Sequence, residues 1–512
     1  MVLAWGFNPG EAARAFEAAA SSDRRCAICW WGLAWSLGPT INADVAPRDE
    51  ERIVAALARA RGAARHATPR DRALIAALAR RHPPAREIDE RAYAAAMDAL
   101  ARTYPRDPDV LTLAAEAHMN LHPYDWWTAD GTAQPWTRTI EQHLARALAV
   151  APEHPGANHY WVHLMEPSRT PERALPSAAR LETLTPGVGH LLHMPAHIYM
   201  RVGRYADAST ANERAIAADR RYLDSTLRGG TPPRAPQSQE NAGDRVFSME
   251  QVQAPDAYRI GYAAHNHHFL WASAAMEGRS RAAIEAARAT YRVACGPRPG
   301  APPRTGTLQH YYALPYYALV RFGQWDELLR ATPPPDVPLP YPLAAWHYAR
   351  GTAYARTGRV ELARRELAEV ERLAAAPEMR DTKVKQLNFA TGLARIAVLS
   401  LAADIALAAG RAAQAVDLLT QATATEDAFE YDEPHLWLAP TRHALGAALL
   451  AANRPAAAER VYREDLRHYP ENGWSLHGLA RALAAQGRHD EARAAQERYR
   501  TAWKAADITL AP

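Results

Sequence analysis

Between residues 155 and 270 the chain carries histidines at helical spacing. His159, His163 and Glu166 stand at i, i+4 and i+7; His190, His193 and His197 are three and four apart; His265 and His268 are three apart. On a helix each of these rows lies along one face. Neutral imidazole is the commonest metal-ligating side chain, and two imidazoles one turn apart can chelate a single ion. The candidate ligands are therefore His159, His163, Glu166, His193, His197, His265 and His268, and a nitrogen-rich set with one carboxylate suits a transition metal such as Zn, Fe or Cu rather than Mg or Ca. Glu166 can serve as a ligand or as the catalytic base. Seven groups exceed what one ion needs, so the centre is mononuclear with orienting neighbours, or dinuclear. The segment HMPAH has the H-x-x-x-H spacing but carries Met194 where zinc proteases place a glutamate, so that chemistry is not expected. The competing reading is plainer: imidazoles and aromatic rings also grip a peptide by hydrogen bonding and stacking.

The elements that must position these residues are helices. Alanine, leucine and arginine dominate, while runs of alternating Val, Ile and Thr are nearly absent, which predicts an all-α chain. A period is also present. Trp346, Gly351, Tyr354, Gly358 and Ala363 fall in the register of a 34-residue helix-turn-helix unit, as do Gly446, Leu449, Ala458, Tyr462 and Pro470, and then Leu479, Ala480, Leu483, Gly487 and Ala492. Ala196, Tyr199, Gly203, Ala208 and Ala215 form an earlier copy, Gly278 with Ala283 and Gly323 mark two more, and Ala174 anchors another. A lone helix pair cannot bury its apolar face, so such units stack and leave a curved inner surface.

On these residues the chain resembles tetratricopeptide repeat (TPR) proteins over most of its length. The segments GHLLHMPAHIYMRVGRY, NHYWVHLME and AAHNHHFLW resemble motifs of a bacterial group of TPR proteins. The resemblance implies a TPR-like α-solenoid, a right-handed superhelix of antiparallel helix pairs, with first-helix positions 2, 5, 9, 12 and 13 lining a concave groove. In that register seven of the eight histidines in three first helices face the groove, His267 being the exception, where about one would fall there by chance. His190, Tyr199, Arg201, His310 and Tyr317 join them as candidate contacts to a peptide, protein or small-molecule ligand.

One solenoid over 1–512 is expected, with divergent repeats in 1–154, His-rich repeats in 155–295 and further repeats in 306–512. A Gly-, Pro- and polar-rich insertion at 224–260 is a candidate lid, and Pro-rich linkers fall at 296–305 and 331–342. At the N-terminus Ala12, Phe16 and Ala19 occupy second-helix positions of a repeat whose first helix would begin before Met1. Half a repeat is then missing, and with it any export signal; as it stands the chain reads as soluble and cytoplasmic. Asp125, Trp126, Trp127 and Trp136 suggest a packing corner. Cys26-x-x-Cys29 could bind metal or form a redox pair, although a single such motif is weak and the compartment is not legible from it. The net charge of +4 comes from interspersed acids and bases, which does not suggest a nucleic-acid partner. No uninterrupted apolar run is long enough to span a bilayer, and neither a phosphate-binding loop nor a G-x-S-x-G elbow occurs.

The sequence thus supports a TPR-like protein with a His-rich transition-metal pocket, potentially a hydrolytic or oxidative enzyme. The alternative is a non-catalytic adaptor that binds a peptide or partner protein.

Overall fold

A computed structural model describes residues 1–83, 87–128, 130–228, 258–295, 305–334, 339–385, 387–437 and 439–510. Helices account for nearly all regular structure there; the exception is a two-stranded antiparallel ribbon pairing Lys383–Val384 with Asn388–Phe389. The expected all-α, TPR-like stacking of antiparallel helix pairs is what the chain forms. Most of the insertion expected at 224–260, and most of the linker at 296–305, lie outside the described residues.

Helix starts follow local chemistry. Asn8, Thr68, Asp89 and Asp107 each accept a hydrogen bond from a backbone N–H three residues on, opening Pro9–Ser22, Pro69–Arg81, Glu90–Thr103 and Pro108–Leu121. His154 does the same with its ring, Nδ1 accepting from Ala157 N at 3.0 Å to open Pro155–Met165. The turns inside repeats need a left-handed residue. Gly358 and Gly487 supply it with φ of 77° and 74°, and Asn453 takes the equivalent place at 54°. No atom crowds a Cβ at Gly358 or Gly487, so the requirement there is conformational rather than steric.

The chain divides into two compact units. The first comprises Met1–Ile198 with 214–228 and Tyr258, the second Tyr199–Glu213 with the described residues from Arg259 onward. The second shows the repeat interlock most clearly. The ring of Tyr462 fills the space beside two glycines, a Cβ on Gly446 or Gly478 falling 2.3 or 2.1 Å from its Cζ. Leu419, Leu445, Leu449, Ala458, Leu479 and Leu483 close the core around it. Helix Ala390–Ala408 is long and apolar enough to cross a membrane, and half of it is buried in the protein. It packs between Pro340–Arg356 and Ala412–Asp427, and its Asp404 pairs with Arg356 at 2.7 Å, which marks it as a core helix of the repeat stack.

In the first unit Pro155–Met165 receives the N-terminal segment. Helix Val2–Trp5 packs on it, and Phe7, held at φ 51°, turns its ring inward. Phe16, expected at a second-helix position, meets Gly32 of the next helix, where a Cβ would lie 2.2 Å from its ring. The row His190, His193, His197 does not lie on one continuous helix. Pro195 has no N–H to give, and the row divides into Gly189–His193 and Pro195–Arg201, with Met194 between them.

Candidate metal centre

Despite that break, five imidazoles of the first unit form a closed circuit. Ring centroids are 4.8 Å apart for His159 and His163, 5.7 Å for His163 and His197, 4.7 Å for His197 and His193, 5.9 Å for His193 and His190, and 4.9 Å for His190 and His159. None is more than 4% exposed, and neither is Glu166 beside them. One ring nitrogen from each of His159, His163 and His190 lies within 4.8 Å of the others. Phe7 lies against the rings of His159, His190 and His163, at 4.6, 5.2 and 5.8 Å.

Two neighbours back the rings, and one of them fixes which nitrogen of its ring points inward. The carbonyl of Trp5 can only accept, so the 2.5 Å contact from His159 Nδ1 requires an Nδ1–H; the neutral ring then presents the lone pair of Nε2, which faces His190 Nε2 at 3.1 Å. The Glu166 carboxylate lies against His197, Oε2 in ion-pair contact with Nδ1 of that ring, and His197 Nε2 meets His193 Nε2 at 2.9 Å. A carbonyl or carboxylate behind an imidazole is how metal-ligating histidines are oriented and made more basic. A second carboxylate oxygen, Glu166 Oε1, stands 3.9 Å from His163 Nδ1, beyond hydrogen-bonding reach, and neither ring nitrogen of His163 has a hydrogen-bond partner among the described residues. Leaving buried polar atoms unsatisfied costs ~1–3 kcal/mol per group.

Burial disfavours the charged form at three of these rings. Burial, then the neighbouring imidazoles, push His159 and His190 well below the usual histidine range, and burial lowers His163. For Glu166 burial acts upward, but His197 and His163 outweigh it and hold the carboxyl below its usual range. Neutral imidazole beside an ionised carboxylate is the protonation state that a cation site needs.

The remaining candidates fall in the second unit. His268 is fully buried, its ring 5.4 Å from His310 and 5.5 Å from Tyr311; His310 Nδ1 lies 2.8 Å from the Tyr341 hydroxyl. Burial and then the nearby Lys385 charge lower both histidines, and that ammonium makes their surroundings a poorer place for a cation. His265, half-buried, lies against Phe269. Tyr199 is buried under the guanidinium of Arg204, Arg201 lies over Tyr431, and Tyr317 meets Tyr348 and Trp437.

Cys26 and Cys29 are joined in a disulfide, so neither sulfur is a thiolate ligand. The tryptophans at 126–136 form the expected packing corner: Trp126 donates to Met119 O, Trp136 to Asp125 O and Trp127 to Leu164 O, the last beside His163. Trp5, Phe7 and Glu116 were not legible as site residues. Glu116 is buried, accepts from Trp35 Nε1 at 3.2 Å, and is raised by burial to about 7. Only its place as a carboxylate among the buried alanines and leucines of Pro108–Leu121 could have signalled it.

Residues 449–500 match the tetratricopeptide repeat family. No curated protein sequence matches the chain. Among solved structures, a human IFIT1 dimer with m7Gppp-AAAA is 12% identical, covering 93% of this chain and 89% of that one at a TM-score of 0.32. The P58(IPK) TPR domain is 14% identical, covering 72% and 92% at a TM-score of 0.19. A monomeric IFIT1 mutant with Gppp-AAAA is 11% identical, covering 97% and 95% at 0.30.

Proposed function

We propose that this TPR protein binds a transition-metal ion, Zn, Fe or Cu, in its first unit through the imidazoles of His159, His163, His190, His193 and His197. The observation that carries this reading is the closed circuit of five buried rings. Trp5 O holds His159 in the ligating tautomer, and the Glu166 carboxylate lies against His197. Neither ring nitrogen of the buried His163 is hydrogen-bonded among the described residues, a cost to a packed core that an ion would offset by using a lone pair at a ligand distance of about 2.0–2.1 Å. A bound ion would act as a Lewis acid or redox centre, making the chain a metal-dependent enzyme of hydrolytic or oxidative type, with Glu166 as the carboxylate nearest the chemistry.

A second reading is favoured by the repeat match at 449–500: a scaffold that binds a peptide or partner protein and performs no reaction. Elemental analysis of protein purified without an affinity tag or chelator separates the two. Stoichiometric metal, lost together with His193→Ala and His197→Ala while helical content persists, supports the metal centre. Protein that holds no metal and takes up none of Zn, Fe or Cu on reconstitution leaves the scaffold.

A further inference from the structure

Away from the buried circuit, three consecutive helices of the first unit bring together a second donor set. Glu90–Thr103 supplies Asp98, Pro108–Leu121 supplies His118 and Thr137–Val150 supplies His143. Nε2 of His118 lies 3.0 Å, and Nε2 of His143 2.9 Å, from the same oxygen, Asp98 Oδ1. The two rings stack, with centroids 6.0 Å apart and planes inclined by 20°, and the three ligating atoms all lie within 4.8 Å of one another.

Other histidine–carboxylate pairs show what is unusual here. His154 with Asp109, His347 with Glu366 and His443 with Asp465 each set one imidazole against a carboxylate, the ordinary way to satisfy a buried ring. At Asp98 two rings from different helices converge on a single oxygen, and the other carboxylate oxygen is not needed for either.

We infer that Asp98, His118 and His143 form a second transition-metal site, a two-histidine, one-carboxylate set that takes a divalent ion such as Zn2+ independently of the buried circuit. Donors about 2.0–2.1 Å from zinc stand roughly 2.9–3.4 Å from each other in octahedral or tetrahedral arrangements, and both measured N–O separations are already in that range. Moving the proton of each ring from Nε2 to Nδ1 turns two donors into two lone pairs without changing the net charge of the rings. Side-chain exposures of 28% for Asp98, 16% for His118 and 11% for His143 leave the site open to water, so solvent completes the coordination. Nitrogen-rich donors with one carboxylate select Zn, Fe, Co, Ni or Cu over Mg or Ca.

Zinc titration of the full chain, read by calorimetry and by elemental analysis after dialysis, tests the site. His118→Gln with His143→Gln, and separately Asp98→Asn, are expected to remove one equivalent of zinc per chain with far-UV circular dichroism unchanged. The same loss is expected in a His163→Ala, His190→Ala background, so this site stands or falls apart from the buried circuit. Unchanged stoichiometry in these variants overturns the inference. Wild-type crystals soaked in zinc give a second readout: an anomalous peak at the zinc edge among Asp98 Oδ1, His118 Nε2 and His143 Nε2 is expected, and a zinc-soaked crystal with no peak there overturns it as well.

Discussion

The indole of Trp5 lies so close to the backbone of Gly156 that a Cβ added there would stand 2.6 Å from Trp5 Cδ2. This contact seats the N-terminal segment on the histidine helix, and it sets the carbonyl that fixes the tautomer of His159. Gly156→Ala must displace the indole, at about 1–3 kcal/mol for an overpacked core. The expected outcome is a lower urea midpoint together with weaker zinc binding, although no imidazole has been changed. Zinc affinity equal to wild type would mean that the Trp5 carbonyl does not orient His159.

His163 allows the metal and structural readings to be pulled apart. Its ring is buried against Phe7 and neither nitrogen is hydrogen-bonded among the described residues, so His163→Phe keeps an aromatic ring in place and removes two polar atoms unsatisfied there. In chelator-treated protein this variant is expected to be as stable as wild type or more so, by up to about 1–3 kcal/mol. In zinc-loaded protein it is expected to lose the increment in Tm that metal gives wild type. Thermal melts with and without zinc check both arms; a variant that unfolds without metal would show that the imidazole itself builds the core.

The repeat register was legible because stacking imposes it. Gly358, Gly487 and Tyr462 occupy places where only a left-handed residue, or only a ring beside two bare backbones, fits. The rows His159/His163 and His193/His197 were legible for the same reason, since helical spacing alone brings i and i+4 together. What joins the rows is not local. The approach of His159 to His190, the Trp5 carbonyl behind one ring and the Phe7 ring over three of them depend on how separate helices pack, and no period in the sequence encodes that. Pro195 could be read as a helix breaker, yet the rings on its two sides still meet, because the break falls between two short helices that continue the same face. Asp98, His118 and His143 stand on three different helices with no short spacing, and nothing in the sequence marks them as a set.

Acid is expected to weaken the second unit through His310. Its folded value is about 3 against 6.5 for the free side chain, first because it is buried and then because Lys385 is near. The folded state thus resists a proton that the unfolded chain accepts: stability is full above about pH 6.5 and falls as pH drops toward 3, by up to about 1.4 kcal/mol per pH unit for this group. Urea midpoints between pH 7.5 and 4.5 should decline accordingly. His310→Gln, which keeps a polar partner for the Tyr341 hydroxyl, should flatten that decline; an unaltered slope would assign the acid sensitivity to other groups.

Glu116 is expected to act in the opposite direction. Burial raises its carboxyl from 4.5 to about 7 despite the nearby Arg81 charge and the Trp35 hydrogen bond. A folded value above the unfolded one means that the protein holds a proton the unfolded chain has released. The stability it contributes is complete below about pH 4.5 and is lost as pH rises through 7. Glu116→Gln cannot ionise, and its amide oxygen can still accept from Trp35 Nε1, so this variant should gain stability relative to wild type from pH 5 upward and level off above 7. Paired urea titrations at pH 5, 6, 7 and 8 measure the difference directly. A gap that stays constant across those four values would mean that Glu116 is ionised in the fold throughout, with Arg81 rather than a proton balancing its charge.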